Sequence, residues 1–222
     1  MVYITGDLHG NYNQLLNIKE KHHLQADDTL VVLGDFGFIF YATKHEKSIL
    51  NQLNTLGFEI LFIDGNHENF NLLNAYPVTT YKGGKAHLIG NHVFHLMRGE
   101  VFTIENKRFF CFGGAYSRDS QRRILNQDWW SQELPNAIDY ETALSTLQKH
   151  GNSMDYMLTH QAPRKIIKEL GRLHPCEVPL CNFFDILMER IDYKQWFFGH
   201  WHTDKEFEHH KMTAVYTGVW QI

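Results

Sequence analysis

The chain has 222 residues, 43% hydrophobic and 21% charged, with a formal net charge of −4 at pH 7. That length can bury a sizeable core as one domain, and the acidic balance excludes a broad basic surface for duplex nucleic acid. No apolar run is long enough to span a bilayer, the first residues enter a strand pattern with no signal peptide, and the three cysteines make no disulfide framework, so a cytoplasmic protein is expected.

Met1 to Thr5 is an apolar, β-branched run that predicts a strand, broken at Gly6-Asp7-Leu8-His9-Gly10. Tyr12, Leu15, Leu16 and Ile18 predict a helix running to about His22. Thr29 to Leu33 is continuously apolar, as in a strand buried on both faces, and it stops at Gly34-Asp35-Phe36-Gly37. Ile49, Leu50, Leu53 and Leu56 recur at helical spacing before Gly57. Phe58 to Ile63 predicts a third buried strand, ending at Gly65-Asn66-His67-Glu68. Strands alternating with helices predict a parallel βαβ core.

From about Lys85 the pattern changes. Short strands at 92–96, 100–104 and 109–112 suggest a β-meander, hence a second sheet or an antiparallel extension of the first. Residues 117–135 contain Arg122, Arg123, Trp129 and Trp130 without periodicity. Helices are predicted around 140–147, 164–170 and 183–191. Strands at 155–158 and 195–198 lead into Thr159-His160 and Gly199-His200-Trp201-His202, and 205–220 reads as a hairpin. No repeat or long linker divides the chain, so one domain over 1–222 is expected.

The strand ends thus collect Asp7, His9, Asp35, Asn66, His67, His160, His200 and His202. In open α/β sheets ligands sit at the carboxyl ends of strands. Imidazoles with carboxylates and an amide suit two divalent ions, manganese, iron or zinc rather than calcium. One ion would take Asp7, His9, Asp35 and His202, and the other Asp35, Asn66, His160 and His200, with Asp35 bridging. Paired ions of this kind hydrolyse phosphate esters through an activated bridging water. His67 is then free to act as general acid toward the leaving oxygen.

In this order the blocks GDLHG, GDFG, GNHE, Thr159-His160 and GHWH resemble the calcineurin-like metallophosphoesterase superfamily across residues 6–202. The resemblance implies a four-layer α/β/β/α sandwich, a two-metal site with a bridging hydroxide, and the same ligand roles. It departs from the protein-phosphatase branch, where an acid stands at Phe38 and an arginine at Ile39, so His67 needs another partner, with Asp64 and Glu68 nearby in sequence. His202 adds the second histidine of the phosphodiesterase branches. The expected activity is hydrolysis of a phosphodiester or phosphomonoester, with a nucleotide as one candidate substrate. The alternatives are a serine/threonine phosphoprotein phosphatase and a non-catalytic scaffold on the same fold.

Arg118, after a Gly-Gly loop, is the candidate phosphate-gripping guanidinium. Trp129 and Trp130 with Phe36 and Phe38 are candidates for an aromatic wall, weighed against core packing. The histidines outside the motifs, among them His87 and His95, read mostly as surface residues. Cys176 and Cys181 beside His174 read as an ordinary loop rather than a zinc site, and Cys111 as core.

Overall fold

The computed structural model describes Met1–Ile222. Its first sheet opens with β1 (Val2–Thr5), β2 (Thr29–Val32) and β3 (Glu59–Phe62), joined in parallel through α1 (Tyr12–His22) and α2 (Lys44–Leu53). Asn11 caps α1 and Thr43 caps α2 in a reciprocal box with Glu46, so polar side chains satisfy the free amides of each first turn. After the short α3 (Phe70–Leu73), β4 (Val78–Tyr81), β5 (Gly84–Leu88) and β6 (Val93–Leu96) extend this sheet. Strand β6 runs parallel to β3, and β5 and β4 follow antiparallel.

The second sheet is built from β7 (Glu100–Ile104), β8 (Lys107–Phe112), β9 (Ser153–Thr159), β10 (Asp192–Phe198), β11 (Lys205–Phe207) and β12 (Met212–Ala214). Its covering helices are α4 (Ala137–Lys149), α5 (Arg164–Ile167) and α6 (Val178–Arg190). The last strand, β13 (Val219–Gln221), leaves this sheet and pairs antiparallel with β1. The three strands expected as one meander divide between the sheets: β6 joins the first, parallel to β3 rather than antiparallel, while β7 and β8 pair antiparallel and begin the second. The expected hairpin at 205–220 is confined to β11 and β12.

Three apolar clusters mark the interfaces between four layers. Val31, Leu61, Phe94, Phe102, Phe109 and Phe197 fill the space between the sheets. Leu15, Ile18, Leu53 and Phe62 seal α1 and α2 onto the first sheet. Phe112, Leu147, Phe184, Leu187 and Trp196 join α4 and α6 to the second. Phe36, Phe38 and Trp130 are each at most 2% exposed and belong to the packed interior, not to a wall of the site. No helix is long and apolar enough to cross a membrane.

His87 and His95 depart from the surface expectation. Each is only 4% exposed, because β5 and β6 pair them across the ladder. Their Nδ1 atoms lie 2.9 Å apart, and His95 Nε2 reaches Asp64 Oδ1 at 3.2 Å. Burial is tolerated because each ring finds a polar partner.

Candidate metal centre

The loops after β1, β2, β3, β9 and β10 converge at one edge where the two sheets meet. Their backbones are stitched together first. His9 N–H donates to the Asp35 carbonyl at 2.8 Å and Gly10 N–H to the Phe36 carbonyl at 3.0 Å. Gly37, at φ +74°, permits this approach, since a Cβ there would stand 2.4 Å from Gly10 N. His9, Asp35, His200 and His202 all have φ between 45° and 66°, a region that strains residues bearing a Cβ by about 1–3 kcal/mol each. Such strain concentrates at functional sites, where the surrounding bonds hold it in place.

Asp35 lies 1% exposed and directs one oxygen to each side. Oδ2 is 3.7 Å from His9 Nε2, and Oδ1 is 3.6 Å from His160 Nε2. Oδ1 also accepts the His67 N–H at 2.7 Å. Burial alone would raise its pKa, but the imidazoles of His160, His67 and His9 outweigh this and hold the carboxyl below its usual value.

On the outer side, Asp7 Oδ2 lies 3.2 Å from His202 Nε2 and 3.9 Å from His9 Nε2, while the two Nε2 atoms are 3.2 Å apart. Asp7 Oδ1 accepts the His200 N–H at 3.1 Å, but the buried Oδ2 accepts no hydrogen bond. His202 is also stacked on Tyr216 at 4.5 Å, and its pKa is raised, chiefly by its contact with Asp7.

The inner side is more telling. His160 Nδ1–H donates to the Leu33 carbonyl at 2.6 Å, which leaves Nε2 bare. Asn66 spends its Nδ2–H on Ser117 Oγ at 3.1 Å, which turns Oδ1 toward His160 Nε2, also at 3.1 Å. His160 Nε2, Asn66 Oδ1 and Asp35 Oδ1 therefore present lone pairs to one another with no proton between them. Such a donor set fits a cation. Atoms of Asp7, His9 and His202, and of Asp7, Asp35 and His160, approach one another within 4.8 Å, so Asp7, rather than the expected Asp35, is the residue common to the two groups.

His200 stands behind this pair. Its ring packs edge-on at 5.1 Å from that of His160, and its Nε2 lies 3.6 Å from Glu177 Oε1, leaving Nδ1 for a ligand. Buried glutamates brace three of the loops. Glu68 accepts from Phe36 N–H and Gly65 N–H, Glu133 from Ser117, and Glu177 lies against His200 and Gln161. Burial raises Glu68 well above the usual carboxylate range, with the Asp35 charge adding to it.

His67 is half-buried beside His9, their rings 5.5 Å apart and edge-on. Neither Asp64 nor Glu68 contacts its ring: Asp64 is tied to Arg98 and His95, Glu68 to backbone amides. Its partner is Arg123, whose Nη1 is 2.9 Å from His67 Nδ1. Burial lowers the His67 pKa, Asp35 partly restores it, and the Arg123 charge lowers it further. Arg118, by contrast, lies over the Trp201 ring and donates to the Arg172 carbonyl. Arg123 carried no sequence signal beyond its type, because its partner is 56 residues away.

A cavity of about 370 Å³ opens beside these groups, lined by His9, Gly37, Phe40, Tyr41, His67, Arg123 and Asp128. The aromatics lining it are the half-buried Phe40 and the exposed Tyr41, rather than the buried Phe36, Phe38 and Trp130 or the half-buried Trp129.

This is a four-layer α/β/β/α protein with Asp7, His9, Asp35, His160 and His202 gathered on one sheet edge. The model of the calcineurin-like phosphoesterases matches residues 1–204, and the chain belongs to that family. Among solved structures, the protein TT1561 of Thermus thermophilus is 11% identical with a TM-score of 0.55, over 97% of this chain and 87% of that one. A Staphylococcus aureus protein described provisionally as a 5′-nucleotidase is 16% identical with a TM-score of 0.50, over 98% of this chain and 49% of that one. The chain thus spans about half the length of the Staphylococcus protein. At these identities the likeness is one of fold. None of the curated proteins compared with the chain matches it.

Proposed function

We propose that the chain is a metal-dependent phosphoesterase acting on a small phosphodiester or phosphomonoester, with nucleotides among the candidates. The observation that carries this reading is the inner donor set, in which His160 Nε2, Asn66 Oδ1 and Asp35 Oδ1 face one another without an intervening proton. Asp7, His9, Asp35 and His202 would hold one divalent ion and Asp35, Asn66, His160 and His200 the other, with manganese, iron or zinc suiting these donors. Ions in such a site neutralise phosphoryl oxygens and make water acidic enough to attack phosphorus near neutral pH.

The protein's own groups supply the rest. His67 stands at the cavity beside His9, placed to donate a hydrogen bond toward the charge developing on the leaving oxygen. The cavity has room for the leaving group, with Phe40 and Tyr41 available to stack on a planar one. The free thiols of Cys111, Cys176 and Cys181 support a reducing, cytoplasmic setting. Phe38 and Ile39, where the protein-phosphatase branch has its acid and arginine, are packed in the interior, which favours small esters over phosphoproteins.

The test is elemental analysis of the purified protein together with paired assays on bis-p-nitrophenyl phosphate, p-nitrophenyl phosphate and a phosphoserine peptide. Bound transition metal with turnover of the small esters is expected. Metal-loaded protein inert toward all three would leave the scaffold reading in its place.

A further inference from the structure

Arg123 makes an unusual contact. A guanidinium carries only donors, so at the 2.9 Å approach of Nη1 the acceptor is His67 Nδ1. In the neutral ring the proton then sits on Nε2. A carboxylate at the same place would do the reverse: it would take the Nδ1 proton and leave Nε2 bare.

Arg123 is held firmly enough to impose this. Its Nε and Nη2 donate to Asp119 Oδ2 at 2.9 and 2.8 Å, and Nη1 also reaches the Asp128 carbonyl at 3.2 Å. The ring is anchored from the other side, because its own backbone N–H is bound to Asp35. Arg123, Asp128 and His67 line the same cavity. Asp119 clamps Arg123, Arg123 addresses Nδ1, and the remaining ring nitrogen is left for whatever enters.

We propose that Arg123 is the positioning residue of His67, fixing the neutral ring and its tautomer so that Nε2–H is offered as a hydrogen bond, without transfer of its proton, to a phosphoryl or leaving-group oxygen. What Nε2–H does there rests on the phosphoesterase reading; the tautomer does not.

Two measurements separate these. In the wild-type protein labelled with ¹⁵N-histidine, long-range ¹H–¹⁵N correlation, assigned with His67→Ala, is expected to show His67 protonated at Nε2 with Nδ1 accepting a hydrogen bond. In Arg123→Met the Nδ1 resonance is expected to move to the position of a free acceptor. A wild-type His67 protonated at Nδ1, or an unmoved resonance, overturns the proposal whether or not the protein hydrolyses anything.

The kinetic arm uses a substrate with an alkyl leaving group. Arg123→Met is expected to lower kcat about 10–100-fold with little change in KM, and Arg123→Lys to recover much of the loss. Asp119→Asn, which leaves the guanidinium in place, is expected to give a smaller loss in the same direction. In the His67→Ala background Arg123→Met should cost nothing more, since the arginine acts through that ring. A raised KM with unchanged kcat, or additive losses in the double variant, overturns the positioning role. Absence of turnover by wild-type protein loaded with manganese defeats the phosphoesterase reading instead.

Discussion

Ser117 braces Asn66 from behind: its Oγ accepts the Asn66 Nδ2–H at 3.1 Å while donating its own proton to Glu133 Oε2 at 2.7 Å. With that proton committed, the hydroxyl can only accept from the amide, and a flipped Asn66 would set two acceptors against each other. Ser117→Ala should therefore let the amide turn. The expected result is a 10–100-fold weaker affinity for one of two bound manganese ions, read by isothermal titration calorimetry. Two unchanged binding steps would remove Ser117 from the site.

Asp35 faces both ligand groups, one oxygen to each. Asp35→Asn keeps the shape and removes the charge. Bound metal, measured after gel filtration, should fall, and turnover should drop about 10³-fold, since the charge stabilisation involved is several kcal/mol. Chelation of the wild-type protein should stop turnover, and added manganese should restore it.

His67→Ala should lower kcat by about 10²–10⁴ for an alkyl phosphate ester. An activated nitrophenyl ester leaves without help and should suffer less. Equal losses on the two substrates would contradict a role at the leaving oxygen.

Arg98 is buried against Asp64 and also donates to the carbonyls of Gln132 and Glu133. Burial alone would raise the Asp64 carboxyl, but the Arg98 charge and the His95 bond hold it far below the usual range. Removing one partner of such a pair leaves an uncompensated buried charge. Arg98→Met should therefore destabilise the fold by about 3–5 kcal/mol in urea unfolding. Adding Asp64→Asn should recover part of that.

Burial pushes the His87 imidazole down from 6.5 to about 4, with the neighbouring His95 adding to the effect. The folded protein thus binds a proton at His87 less readily than the unfolded chain. This contribution to stability is fully present above pH ~6.5 and is lost as the pH falls toward about 4, with a slope of up to ~1.4 kcal/mol per pH unit. His87→Gln should flatten the stability profile over that window, as followed by thermal unfolding at several pH values.

Much of the fold was legible because β1, β2 and β3 are buried on both faces and read as unbroken apolar runs. The breaks after them, and after β9 and β10, mark where the polar motif residues lie. What escaped was set by partners distant in the chain. Strand β4 alternates exposed and half-buried residues at a sheet edge, so its pattern is faint. His87 and His95 are internal only because β5 and β6 place them opposite each other. Glu133 and Glu177 lie in irregular stretches with no periodic signal, yet they support Ser117 and His200. Arg118 and Arg123 share one aperiodic segment, and only its path over the surface puts the second beside His67 and the first on Trp201.

Strand β13 sits beside β1, so the outermost partner of residues 3–5 is residues 219–221. During synthesis β1 must wait, one edge bare, until residues 219–221 have left the ribosome. An apolar strand in that state invites pairing with other chains. Protein stalled or clipped before residue 219 should therefore be more aggregation-prone than the loss of one three-residue strand suggests, because that loss uncovers the flank of the strand that leads into Asp7.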